Sequence, residues 1–146
     1  MAQILSQDLA QKELIITRDL AQVSVLARSK KVPLLLLVSR QDCPYCHLIK
    51  REVIRPMLIS GEYDNRILMR EIMIDYAEQL IGFSGVALPA AKFAQQYGVR
   101  LTPTLLFLSA QGKELAERIV GVNTLDFLSW YIDESIDKAR SASGLD

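Results

Sequence analysis

A short apolar run, Leu34-Leu35-Leu36-Leu37-Val38, ends five residues before Cys43 of Cys43-Pro44-Tyr45-Cys46-His47. A run that is apolar on both faces reads as a buried central strand of a parallel sheet. Pro44 lacks an N–H and suits the first position of a helix. The pattern therefore predicts a strand, then a helix with Cys43 at its N-terminus and Cys46 one turn further on. The motif holds both cysteines of the chain and its only histidine. Two cysteines with two residues between them carry a reversible disulfide, a metal or a c-type haem.

The rest of the chain reads as alternating helices and strands. Thr17-Arg18-Asp19 starts a helix that Thr17 can cap, and Leu20, Val23, Leu26 and Ala27 follow at helical spacing. Residues 7–16 fit either another helix or a short edge strand. After the motif, Leu48, Ile49, Val53, Ile54 and Leu58 favour a helix that Pro56 should kink. Residues 67–74 form a second strand, although Arg70 and Glu71 lie within it. Residues 76–88, with Gly82 and Gly85, read as irregular. Pro89 opens a helix that Gly98 closes. Residues 105–108 and 114–120, joined by a turn at 109–112, should pair as an antiparallel hairpin. Asn123-Thr124 cap a final amphipathic helix through Leu125, Leu128, Ile132 and Ile136, with Trp130 packing in the core and residues 141–146 frayed. This order predicts an α/β fold: one mixed sheet with helices on both faces, in a single domain over residues 1–146.

Composition excludes several functions. The 17 basic and 17 acidic residues give no net charge, so neither nucleic acid nor anionic lipid is expected as a partner. No apolar run approaches the roughly 20 residues of a membrane span. Residues 1–8 lack a basic stretch followed by an apolar one, so no signal peptide is expected as written. Two cysteines and one histidine are too few for a closed structural zinc site, and no metal is expected.

The chemistry of the motif follows from its place at a helix end. Unpaired backbone N–H groups there stabilise an anion, favouring the Cys43 thiolate over the thiol. Thiols so placed have pKa values of roughly 3.5–7.5. Cys43 is then the attacking thiolate, and Cys46 resolves the mixed disulfide. Pro44 holds the loop in shape. Tyr45 should be exposed beside the site, where it can touch a partner peptide. His47 is an exposed helix residue whose charge would favour the thiolates. Asp42 would oppose them, or cap the helix.

Strand, Cys43-Pro44-Tyr45-Cys46, helix, and later Val99-Arg100-Leu101-Thr102-Pro103-Thr104 before an apolar strand resemble the thioredoxin superfamily, most of all bacterial, mostly periplasmic, thioredoxin-related proteins of the Sox and Dsb type. The likeness runs from about residue 17 to 139 and includes Gly121 before the last helix. It implies a thioredoxin fold, with residues 76–88 as an insertion. It also implies a cis Pro103 facing the cysteines and a Thr102 backbone that pairs with an extended substrate. The activity implied is thiol–disulfide exchange with protein thiols and disulfides, recycled by a further redox partner, with no cofactor. The compartment implied is the periplasm, with the cytoplasm as the alternative. Thioredoxins bury an aspartate six residues before the first cysteine, where this chain has Leu37. Glu71 on the next strand is the expected substitute, lying behind Cys46 and accepting its proton. The alternative for Glu71 is a carboxylate at a strand edge, pointing to water.

Glutaredoxins share Cys-Pro-Tyr-Cys, but the glycine pair that binds glutathione is missing from residues 105–112, so glutathione dependence is not expected. Two rivals remain on sequence grounds. Cys43-Pro44-Tyr45-Cys46-His47 also fits C-x-x-C-H haem attachment, with His47 and a methionine such as Met57, Met69 or Met73 as iron ligands. A thioredoxin-fold binding or chaperone module that does no catalysis is the other.

Overall fold

In the computed structural model, which describes residues 13–121 and 125–144, every residue of the apolar run is buried. It forms β2 (Leu34–Ser39) at the centre of a five-stranded sheet. Edge strand β1 (Ile15–Ile16) pairs in parallel with β3 (Leu68–Met73), and β3 pairs in parallel with β2. β6 (Thr104–Leu108) runs antiparallel to β2, and β7 (Glu114–Val120) antiparallel to β6, giving the order β1-β3-β2-β6-β7. The expected hairpin at 105–120 is thus present.

Strand alternation divides the core in two. Leu34, Leu36, Val38, Leu68 and Ile72 pack beneath α1 (Leu20–Lys30) and α4 (Ala90–Gln96). Leu35, Leu37, Met69, Leu105 and Phe107 pack on the other face, against the helical segment after the cysteines and α5 (Leu125–Ser143). A mixed sheet with helices on both faces is the expected α/β architecture.

Several expectations need correction. Asp19, not Thr17, caps α1: its carboxylate accepts the Gln22 N–H at 3.0 Å, while Thr17 Oγ1 accepts the Asp19 N–H at 3.2 Å. Of residues 7–16, only 13–16 are described, and they include edge strand β1. Pro56 does not kink a plain α-helix. The chain runs from α2 (Pro44–Ile49) through a π-helical turn (Lys50–Ile54) into α3 (Arg55–Ser60). The Arg55 N–H bonds the Lys50 carbonyl five residues back, just before the donor that Pro56 lacks. Residues 76–88 are not wholly irregular: β4 (Gln79–Ile81) and β5 (Ala87–Pro89) make a separate antiparallel hairpin.

That hairpin is pinned to the body of the fold. The Ile81 N–H donates to the Arg18 carbonyl at 2.8 Å. Phe83 packs toward Gly112, whose φ is +94°; a Cβ there would lie 2.6 Å from the Phe83 ring. Glycine is therefore required in the β6–β7 turn by both conformation and close approach.

Trp130 is 59% exposed, contrary to the core packing expected of it. The buried stripe of α5 is Leu128, Ile132, Ile136 and Ala139, and Trp130 lies about 200° around the helix from Leu128. Residues 141–143 continue α5 rather than fraying, with the Ser143 hydroxyl donating to the Arg140 carbonyl at 2.7 Å. The expected cap at Asn123-Thr124, residues 1–8, where no signal peptide is expected, and the tail at 145–146 fall outside the described residues. Among the described residues, no helix is long and apolar enough to cross a membrane.

Candidate active site

The loop leaving β2 carries Cys43 to the start of α2. Cys43 is the N-cap residue, in extended conformation, and Pro44 takes the first helical position. The Cys46 N–H donates to Cys43 Sγ at 3.2 Å. Sulfur thus occupies the place that a serine or aspartate oxygen fills at other helix starts. An N–H aimed at that sulfur favours its anionic form once the pair is reduced. Cys43 and Cys46 are joined as a disulfide, S–S 2.16 Å, with Cα atoms 5.2 Å apart. Cys46 is fully buried and Cys43 almost so, while Tyr45 between them is 62% exposed.

The Thr102–Pro103 bond is cis, as the resemblance implied. Its loop abuts the disulfide, with the Thr102 hydroxyl donating to Cys43 Sγ at 3.5 Å. The Pro103 carbonyl accepts the Gly121 N–H at 2.8 Å, tying this loop to the end of β7. Leu101, two residues before the proline, is 64% exposed. Tyr45, between the two cysteines, and Leu101, next to Thr102, are thus both exposed.

His47 is exposed, and its Nε2–H donates to the Gln41 carbonyl at 2.8 Å. The imidazole braces the loop ahead of Cys43, and the nitrogen a haem iron would take is engaged. The same loop is held from the other side. The Gln41 N–H bonds both carboxylate oxygens of Asp75 at 3.0 Å. Asp75 was missed as a site residue. The signal that finds it is topological: loops leaving the C-terminal ends of adjacent parallel strands meet there. Asp42 is exposed and does not cap the helix.

Glu71 is not at a water-facing edge. It is 1% exposed on β3, between β1 and β2. It pairs in register with Leu37, the position where thioredoxins carry their buried acid. Its carboxylate accepts a hydrogen bond from the Ser39 hydroxyl at 2.5 Å and from Lys50 Nζ at 3.1 Å. Lys50 lies one helical turn after Cys46, where the π-helical turn begins. A carboxylate this buried needs such partners, because an unpaired buried charge is strongly disfavoured. Ser39 and Lys50 were also missed; their partner lies 32 and 21 residues away in sequence. No group of three or more metal-ligating side chains occurs among the described residues.

Comparison with curated proteins returns no match. Solved structures give thioredoxins. A mutant thioredoxin from Halobacterium salinarum NRC-1 superposes with a TM-score of 0.58 at 19% identity, covering 86% of this chain and 93% of that one. Fasciola hepatica thioredoxin gives 0.57 at 17% identity, covering 86% and 99%. Thioredoxin NaTrxh from Nicotiana alata gives 0.54 at 24% identity, covering 82% and 94%. At these identities the likeness carries the fold. The sequence itself matches the family model of the thioredoxin-like domain over residues 20–136. That match spans most of the chain, and the chain belongs to the thioredoxin-like domain family.

Proposed function

We propose that the protein is a thiol–disulfide oxidoreductase acting on protein thiols and disulfides through Cys43 and Cys46. The observation that carries this is the Cys43 sulfur, which receives the Cys46 N–H at a helix start beside the cis Pro103 loop. In the reducing direction, the Cys43 thiolate attacks a substrate disulfide. A Cys43–substrate bond forms and one substrate thiolate leaves. Cys46 then gives up its proton and attacks Cys43 Sγ. The second substrate thiolate leaves, and the Cys43–Cys46 bond closes. The oxidising direction reverses these steps. Thr102 and Pro103 shape the groove, in which the Thr102 backbone pairs with an extended substrate segment. Tyr45 and Leu101 give that groove an apolar rim. The test is reduction of insulin by a small dithiol; no acceleration above the dithiol alone contradicts the proposal.

Glu71 is the proton acceptor for Cys46 in this reading. Its burial, its register with Leu37 and its link to Lys50 one turn beyond Cys46 support the role. Glu71→Gln keeps the shape and removes the base. The rate of the Cys46 step should fall about 10²-fold or more near neutral pH, the usual contribution of a positioned base. It should recover as pH rises and Cys46 ionises unaided. Unchanged rates across pH remove Glu71 from the mechanism.

The Cys-Pro-Tyr-Cys pattern, similar to Sox- and Dsb-type relatives, supports a periplasmic place of action. Trapping thiols in intact cells by alkylation tests this. A pair held by a periplasmic exchange partner reacts in cells whose inner membrane excludes the reagent; a pair that reacts only after lysis argues for the cytoplasm.

A further inference from the structure

Arg70 is the neighbour of Glu71 in β3, but it takes no part in the site above. Alternation places it on the α1 face of the sheet with Leu68 and Ile72. It is nine-tenths buried, at 8% exposure. A guanidinium carries five N–H donors. Among the described residues its side chain makes a single hydrogen bond, from Nη1 to the Met69 carbonyl at 2.8 Å. No carboxylate among those residues pairs with it, and burial alone pulls its pKa below the ordinary arginine value. A buried cation without a counter-ion is costly. No fully buried side-chain nitrogen among the described residues lacks a partner, so the remaining donors keep an opening to solvent.

Arg70 lines a groove of about 690 Å³ between β1 and α1. The size falls within the roughly 300–1,000 Å³ range of small-molecule sites. Its apolar wall is Ile15, Ile16, Val25 and Leu26, and the first three are exposed. Most polar groups of the rim are engaged, Arg18 with Glu78 at 3.4 Å, while the Gln22 side-chain amide makes no hydrogen bond among the described residues. Asp19 accepts the Gln22 N–H, Thr17 accepts the Asp19 N–H, and the Ser29 hydroxyl donates to the Leu26 carbonyl. The groove therefore offers a ligand one buried positive charge beside an aliphatic surface.

We propose that this groove binds an amphiphilic anion, an aliphatic carboxylate whose head group pairs with Arg70 and whose chain lies on Ile15, Ile16, Val25 and Leu26. A planar carboxylate matches the guanidinium fork, and the bond is charge-assisted. The groove shares no residue with the disulfide site, so occupancy is independent of the redox reading.

Calorimetric titration with decanoate, below its micelle concentration, tests the site. One saturable binding event is expected. Decanol, with the same chain and no charge, should bind at least tenfold more weakly. Arg70→Met should weaken decanoate about tenfold to a hundredfold, the usual worth of a charged hydrogen bond. Should that variant fail to fold, Val25→Glu decides: it sits on the exposed wall, leaves the core untouched and should weaken decanoate about twofold to fivefold. The proposal is overturned by absence of saturable binding, by decanol binding as well as decanoate, or by affinity that Val25→Glu leaves unchanged.

Discussion

Replacing Cys43 with Ser is expected to abolish catalysed insulin reduction, leaving only the background rate of the dithiol. Replacing Cys46 with Ser should have a different outcome: the Cys43–substrate mixed disulfide accumulates, because nothing resolves it. The asymmetry follows from position. Cys43 caps the helix and touches the Thr102 loop, whereas Cys46 is fully buried behind it. A substrate sulfur therefore reaches Cys43 first. Non-reducing electrophoresis and intact mass separate the two results. Equal trapping by the two variants, or turnover by the Cys43 variant, contradicts the assigned roles. A binding module that does no chemistry gives neither trapping nor turnover with the native pair.

The largest stability effect is expected at Phe107. It is wholly buried on β6, between β2 and β7, and packs with Leu35, Leu105 and the inner face of α5. Phe107→Ala removes that contact and leaves a cavity, a loss of about 3–5 kcal/mol. Typical domains are stable by only about 5–15 kcal/mol, so the variant should be near unfolding at ambient temperature. Phe127→Ala, on the exposed face of α5, should change stability by no more than about 0.5 kcal/mol. Urea denaturation of the two variants checks both figures. Similar midpoints would contradict the division of α5 into a buried and an exposed face.

Local patterns carried most of the fold in the sequence. The run 34–38 is apolar on both faces because helices cover both faces of β2, and its strand character is plain. Pro44 after Cys43 and Gly112 in the β6–β7 turn mark their positions by backbone chemistry that few other residues supply. Long-range pairing was not legible. Glu71 looks out of place in an apolar strand until Ser39 and Lys50 converge on it across the sheet and the helix. Asp75 looks like a strand terminator until the loop after β2 folds onto it. Trp130 misled because size and hydrophobicity suggest burial, whereas helix phase decides it. The β4–β5 hairpin was hidden because three-residue strands carry too little periodicity to register.

The central claim is that Cys43 and Cys46 form a pair that opens and closes by two-electron exchange. Equilibration of the protein against graded glutathione or dithiothreitol buffers, followed by alkylation and mass measurement, reads that directly. A single two-electron transition between about −270 and −120 mV, adding two alkyl groups together, is the expected result. A bond that stays closed well below about −300 mV, as structural disulfides do, would contradict it.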